Sequence, residues 1–328
     1  MSTIKPFMLA CLAGLLAAPA LLLTSCSTAT YNPSGLPALI AYNSDANRAM
    51  HIYTVRPDGT GTRLTNSDNA TFDSLPRWSP DGKLIAFVSN QSDDYEIWTM
   101  SEDGSGRRKL TGRQGIDVRP HWSPDGSQIA LAGRCVAANG ESTIEIFVLN
   151  ADGSGLKQLT DTTLWPQASG PHTEENARTW GNGEPTWSRD GSKILFSTNR
   201  DGDGSKPFFY TMKADGSQQN KLNWPFDTEG AEPDWSPVTN QIVFARGSAA
   251  KCDIWVMDGG SPFPGLTARQ ITKDIDNNRS PVWSPDGRQI AFVSDKYGND
   301  DIFIMDADGA NVRRLTSDKS NDNYPSWR

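Results

Sequence analysis

Two stretches, PRWSPDGKLIAFVS at residues 76–89 and PVWSPDGRQIAFVS at 281–294, are near copies of one another. So are MSEDGSGRRKLT at 100–111 and LNADGSGLKQLT at 149–160. Working outward, a tryptophan two residues after a proline recurs at Trp78, Trp122, Trp187, Trp235, Trp283 and Trp327, at spacings of 44 to 65 residues. Five of the six are followed by serine. The unit reads P-x-W-S-P-D-G-x-x-I-A-F-x-S, a variable hairpin, I-W-x-M-x-x-D-G-S-G, a short polar stretch and L-T. Self-similarity of this kind marks a repeat architecture.

Each unit holds four short β runs, and Pro-Asp-Gly and Asp-Gly-Ser-Gly supply the positive backbone angles that tight reversals need. One four-stranded sheet cannot cover both of its apolar faces, so the units must pack side by side; blades around an axis are the propeller solution. Six tryptophans predict an all-β, six-bladed β-propeller. The first unit starts in its middle: Ala38–Tyr42 matches the second strand, His51–Val55 the third and Thr62–Thr65 the fourth. The missing first strand stands at the other end as Tyr324–Arg328, which predicts closure by pairing of the C-terminal strand with the N-terminal blade and removes two free edges. The repeat tryptophans are expected to pack between blades, and the aspartate of each Pro-Asp-Gly to close its own turn. Cys135 and Cys252 fall in blades with one blade between them, too far apart for a disulfide.

The chain has 328 residues, 36% of them hydrophobic, with 31 Lys+Arg against 39 Asp+Glu and a net charge of −8. That content can bury a sizeable core, and no basic tract offers a footprint for nucleic acid. Three separated histidines, His51, His121 and His172, argue against a His-built metal site, and four cysteines without C-x-x-C spacing argue against redox chemistry. No cofactor is expected; calcium is the one ion that carboxylates and carbonyls at a channel mouth would suit.

Lys5, the apolar run Phe7–Leu23 and then Leu23-Thr24-Ser25-Cys26 form a leader whose last four residues resemble the bacterial lipobox. The resemblance implies a signal peptide over 1–25, lipidation at Cys26, a tether over 26–36 and the propeller over 37–328. The lipid would be the sole membrane attachment. Ser27 after the cysteine favours, by the same resemblance, the outer membrane of a Gram-negative envelope.

With W-S-P-D-G and D-G-S-G as punctuation, residues 37–328 resemble the six-bladed propeller of the TolB family. The resemblance implies a monomeric, periplasm-facing scaffold for an envelope protein, in particular a peptidoglycan-associated lipoprotein. The α/β domain that precedes the propeller in TolB has no counterpart in residues 1–36. The same repeats also occur in prolyl-oligopeptidase relatives and in oligogalacturonate lyase. No G-x-S-x-G elbow stands in the chain, and lyase-like chemistry would need more histidines around one metal, so a non-catalytic role is expected. Carbohydrate binding, or an oligogalacturonate-lyase-like propeller, is the alternative.

The repeats can be compared with one another. Turns after the first and third strands of each unit share one face and are nearly uniform. Hairpins between second and third strands, and the crossovers between units, share the other face and differ in every copy, which places recognition there. That face is acidic, while the opposite face and the last strands carry Arg107, Arg108, Lys109, Arg313 and Arg314. Asp73, Asp117, His121, Glu184, Glu232, Asp234, Arg279 and Asp322 are the candidates for the channel mouth. The longest crossover, 161–186, offers Trp165, His172, Glu174, Glu175, Arg178 and Trp180 as the candidate partner contact.

Overall fold

The computed structural model describes residues 38–46, 49–66, 71–92, 94–113, 115–136, 142–162, 182–200, 207–222, 230–248, 251–274 and 276–328. Within them, 24 strands form six four-stranded antiparallel sheets. Blade 1 is β24 (Asp322–Trp327), β1 (Ile40–Ser44), β2 (His51–Val55) and β3 (Gly61–Arg63). Blade 2 is β4 (Asp73–Trp78), β5 (Leu84–Ser89), β6 (Glu96–Ser101) and β7 (Arg108–Lys109). Blade 3 is β8 (Asp117–Trp122), β9 (Gln128–Val136), β10 (Ser142–Asn150) and β11 (Lys157–Gln158). Blade 4 is β12 (Asn182–Trp187), β13 (Lys193–Thr198), β14 (Phe208–Lys213) and β15 (Asn220–Lys221). Blade 5 is β16 (Ala231–Trp235), β17 (Gln241–Ser248), β18 (Lys251–Asp258) and β19 (Arg269–Gln270). Blade 6 is β20 (Asn278–Trp283), β21 (Gln289–Ser294), β22 (Asp301–Asp306) and β23 (Arg313–Arg314).

The turns form for the reason their residues suggest. In blade 2 the Ser79 hydroxyl donates to Asp81 Oδ1 at 2.7 Å, the same oxygen accepts the Lys83 N–H at 3.2 Å, and Gly82 takes φ 69°. Asp125, Asp190 and Asp286 repeat the arrangement. Hydrogen bonds from the neighbouring serines hold the Asp125 and Asp190 carboxyls below the usual range, Asp190 at about 2.

The core is divided into six clusters, each at a joint between blades. Trp78 packs with Ala41 and Ile52 of the blade before it, and Trp187 with Ala130 and Ile146. Trp327 closes the series against Val282, Ala291 and Ile302 of blade 6. Ring closure is strand pairing: Ile40 stands opposite Trp327, Ala41 opposite Ser326, Asn43 opposite Asn323 and Ser44 opposite Asp322. This register also fixes an orientation. Ile40 lies at the tryptophan end of the closing strand, so the chain enters blade 1 from the face of the uniform turns, and the varied hairpins lie on the opposite face.

Cys135 in β9 and Cys252 in β18 form no disulfide. No helix among the described residues is long and apolar enough to cross a membrane. The basic residues expected on the turn face are largely committed inward. Arg107 reaches Asp73 at 2.9 Å, Lys109 reaches Glu96 at 2.5 Å, and Arg314 reaches Asp301 at 2.6 Å, so they do not make a free cationic surface.

Candidate functional site

The inner strands β4, β8, β12, β16, β20 and β24 surround the axis, and each carries an x-Pro step two residues before its tryptophan's neighbour: Leu75, Arg119, Glu184, Glu232, Ser280 and Tyr324 precede the six prolines. Proline disfavours the right-handed helical region for the residue before it. All six take the left-handed region, with φ between 50° and 56°, and the register against the second strand shifts at this point in every blade. Bulky residues seldom accept this conformation, at a cost of roughly 1–3 kcal/mol each. The bulge turns their side chains to the axis, where the six x-Pro pairs line one narrow cavity.

A bulge leaves its N–H without a ladder partner, and here the neighbouring blade supplies one. Glu184 Oε2 accepts the Glu232 N–H at 2.6 Å. Glu232 accepts the Ser280 N–H at 2.6 Å and the Ser280 hydroxyl at 3.0 Å. Asn43 Oδ1 accepts the Leu75 N–H at 3.2 Å. Arg119 pairs with Glu184 at 3.1 Å and lies over the Tyr324 ring at 5.7 Å. Burial and the adjacent Glu184 charge push the Glu232 carboxyl up. Burial opposes the charge on Arg119, but Glu184, Tyr324 and Glu232 outweigh it and raise that guanidinium.

A second layer lies one step nearer the turns. Thr186 Oγ1 accepts the Trp235 N–H at 3.3 Å, Asp234 Oδ2 the Trp283 N–H at 2.8 Å, and Ser326 Oγ the Trp78 N–H at 2.9 Å. His121 Nε2 lies 3.3 Å from Asp234 Oδ1 and 3.2 Å from Thr186 Oγ1, while its Nδ1 lies 3.2 Å from the Trp122 carbonyl. A hydroxyl, an imidazole and a carboxylate therefore meet. In a nucleophilic relay the hydroxyl and the carboxylate sit on opposite ring nitrogens; here both sit on Nε2, and the arrangement cannot pass a proton from one to the other through the ring. Arg77, 3.7 Å from Asp234, completes the layer. Toward the turns the channel widens into a funnel of about 350 Å³, bounded by the six tryptophans, prolines and the Arg189 and Arg328 side chains.

Of the residues expected at the channel, His121, Glu184, Glu232 and Asp234 reach the axis. Asp73, Asp117 and Asp322 are wholly buried at the joints between blades instead. Arg279 points between blades 6 and 1, bonded to Asp300 and to Asn323. Arg77, Arg119, Ser280 and Tyr324 were missed, although the pre-proline position is a signal that finds three of them. Cys26, Trp165, His172, Glu174, Glu175, Arg178 and Trp180 lie outside the described residues. Among the described residues no cluster of three or more His, Cys, Asp or Glu is arranged to hold a metal ion.

The fold and its axis define a six-bladed propeller whose polar centre joins blade to blade. The chain belongs to the TolB beta propeller domain family, matched over residues 28–162 and 225–328. It is 27% identical over 202 residues to the uncharacterized peptidase YuxL of Bacillus subtilis (strain 168), covering 54% of this chain and 30% of that protein. It is 51% identical over 41 residues to the Tol-Pal system protein TolB of Anaeromyxobacter dehalogenans (strain 2CP-C), covering 12% of this chain and 9% of that protein. The chain thus matches less than a third of the length of either relative. The crystal structure of TolB from Acinetobacter baumannii superposes with a TM-score of 0.68 at 20% identity, covering 89% of this chain and 68% of that one, a likeness of fold.

Proposed function

We propose that this chain is a non-catalytic, TolB-like binding scaffold of the bacterial envelope. It is tethered through a lipid on Cys26 and holds a periplasmic or peptidoglycan-associated protein on the face of its varied hairpins and crossovers. The observation that carries this reading is the use made of the axial carboxylates. Glu184, Glu232 and Asp234 accept backbone N–H groups of the next blade, so their oxygens serve assembly of the ring rather than a substrate. The chain enters blade 1 on the uniform face, and the varied hairpins lie on the opposite one. Binding residues sit preferentially on loops held by such a rigid frame.

The test is crosslinking in whole cells followed by affinity capture and identification of the bound protein. The tag belongs in the exposed turn Asp152–Gly155, because the C-terminal strand closes the ring. Capture of one envelope protein by the native chain, and its loss on scrambling 161–181 with an unchanged melting temperature, is the expected result. Retention on a glycan column with no protein captured would replace this reading with the carbohydrate one.

A further inference from the structure

Five of the joints are built from similar parts at the varied face: the first residue of an inner strand, the threonine that follows the preceding fourth strand, and a polar side chain from the start or first half of the preceding third strand. In the joint between blades 1 and 2 these are Asp73, Thr65 and His51, and Arg107 bonds Asp73 through both terminal nitrogens at 2.9 and 3.2 Å. In the joint between blades 2 and 3 two acids meet two cations: Lys109 holds Glu96 at 2.5 Å, and Arg113 holds Asp117 at 2.9 and 2.5 Å. Between blades 3 and 4, Glu145 faces an amide, with Asn182 Nδ2 donating at 2.8 Å. Between blades 5 and 6, the Thr272 hydroxyl donates to Asp253 at 3.1 Å, and Asn278 Nδ2 donates to Asp274 at 2.6 Å.

The closing joint departs from this balance. Asp301 and Asp322 meet there, and the one cation among the described residues that reaches them, Arg314, bonds Asp301 at 2.6 Å. Asp322 is wholly buried, and neither of its carboxylate oxygens has a hydrogen-bond partner. The Ser44 and Thr316 hydroxyls lie beside it, outside hydrogen-bonding geometry. The other charged or titratable groups facing it are Asp318 in the last crossover and Tyr42 on β1, both of which disfavour an ionised neighbour or add negative charge. A buried carboxylate without a partner is held neutral more cheaply than charged.

We propose that the closing joint is latched by a proton: Asp322 carries it in the closed ring, and its release loosens the pairing of β24 with β1. The group's behaviour agrees: burial, helped by the Asp318 and Asp301 charges, outweighs the opposing influence of the Ser44 and Thr316 hydroxyls and pushes the Asp322 carboxyl up to about 7 from its ordinary 3.8. The sign follows. The folded state binds the proton more tightly than the unfolded chain, so the contribution is full below about 4 and is lost as pH rises to about 7, by up to tenfold in the folded-to-unfolded ratio for each pH unit.

The full chain, Asp322→Asn, Asp301→Asn and Asp117→Asn are melted between pH 5 and 8.5, with hydrogen exchange of β1 and β24 followed alongside. The native protein should lose stability and gain exchange in these strands as pH rises toward 7. Asp322→Asn should remove that dependence and be the more stable protein at pH 8. Asp301→Asn frees Arg314 for Asp322 and should move the midpoint at least about one unit toward acid, which keeps the test open should Asp322→Asn fail to fold. Burial raises the Asp117 carboxyl as well, though Arg113 opposes it, so Asp117→Asn should lower stability and leave most of the dependence in place. The proposal is overturned by an unaltered pH dependence in Asp322→Asn, by an unmoved midpoint in Asp301→Asn, or by Asp117→Asn abolishing the dependence as Asp322→Asn should.

Discussion

The joint between blades 2 and 3 and the joint between blades 6 and 1 bury the same pair of acidic positions, yet they are neutralised differently. In the first, Lys109 and Arg113 each take one carboxylate. In the second, Arg314 takes Asp301 and Asp322 is left to burial alone. Both joints are continuous along the chain, through 110–116 and 315–321, but at the second the inner strand β24 must also pair with β1 from the other end of the chain. The difference shows that blades alike in sequence pattern need not contribute alike to stability: what matters at each seam is the count of buried charges against available partners.

The comparison breaks most visibly if the closing strand goes. Deleting 324–328 should cost more than Trp327→Ala, itself expected to lose about 3–5 kcal/mol because the ring leaves a hole among Val282, Ala291 and Ile302. Urea melts of both variants check this; a midpoint equal to that of the native chain would show that the ring does not depend on its seam. Next in size is Arg113→Ala, which strands Asp117 as Asp322 is stranded. Breaking a buried pair this way costs about 3–5 kcal/mol at pH 8, and the loss should shrink toward pH 5 as Asp117 gains a proton, giving the second joint the pH dependence of the sixth. Melting at the two pH values reads this directly.

Smaller again is Thr186→Val, which removes the hydroxyl that accepts the Trp235 N–H and should cost about 1–3 kcal/mol in chemical denaturation. The smallest effect belongs to the turns, remote from either seam. Asp190→Ala should cost under about 1 kcal/mol, because its carboxylate faces water. The Asp190 carboxyl is depressed, so its contribution is present above about 4 and fades as pH falls through about 2. A melting curve for Asp190→Ala that converges on the native one at that acidity is the expected result.

Much of this was readable in advance. The Pro-x-Trp count set the number of blades, and Tyr324–Trp327 matched the strand that blade 1 lacks. The same reading found the turn aspartates, since Ser, Asp and Gly at fixed offsets make their bonds locally. It failed where long-range placement decides the environment. Blade 5 has Trp235-Ser-Pro-Val-Thr-Asn240 where the other turns carry Asp-Gly, and there Ser236 Oγ accepts the Thr239 N–H at 3.1 Å in place of an aspartate. In the same blade the fourth-strand turn is enlarged by a short 3-10 helix, Pro264–Thr267, that leaves Phe263 and Leu266 in water. Neither exposure was legible from the repeat.

What the residues determined by themselves is everything that follows from local chemistry and counting: strands, turns, six blades and the manner of closure. What only the tertiary structure decided is which inner-strand side chain meets the axis. Strict alternation would turn Asp73, Leu75 and Arg77 to one side, yet Asp73 is sealed in a joint while Leu75 and Arg77 line the channel. The left-handed residue before each proline inserts a bulge that resets the alternation. A one-residue shift moves every later side chain to the other face, and at Leu75, Glu232 and Ser280 the neighbouring blade bonds the N–H the bulge exposes.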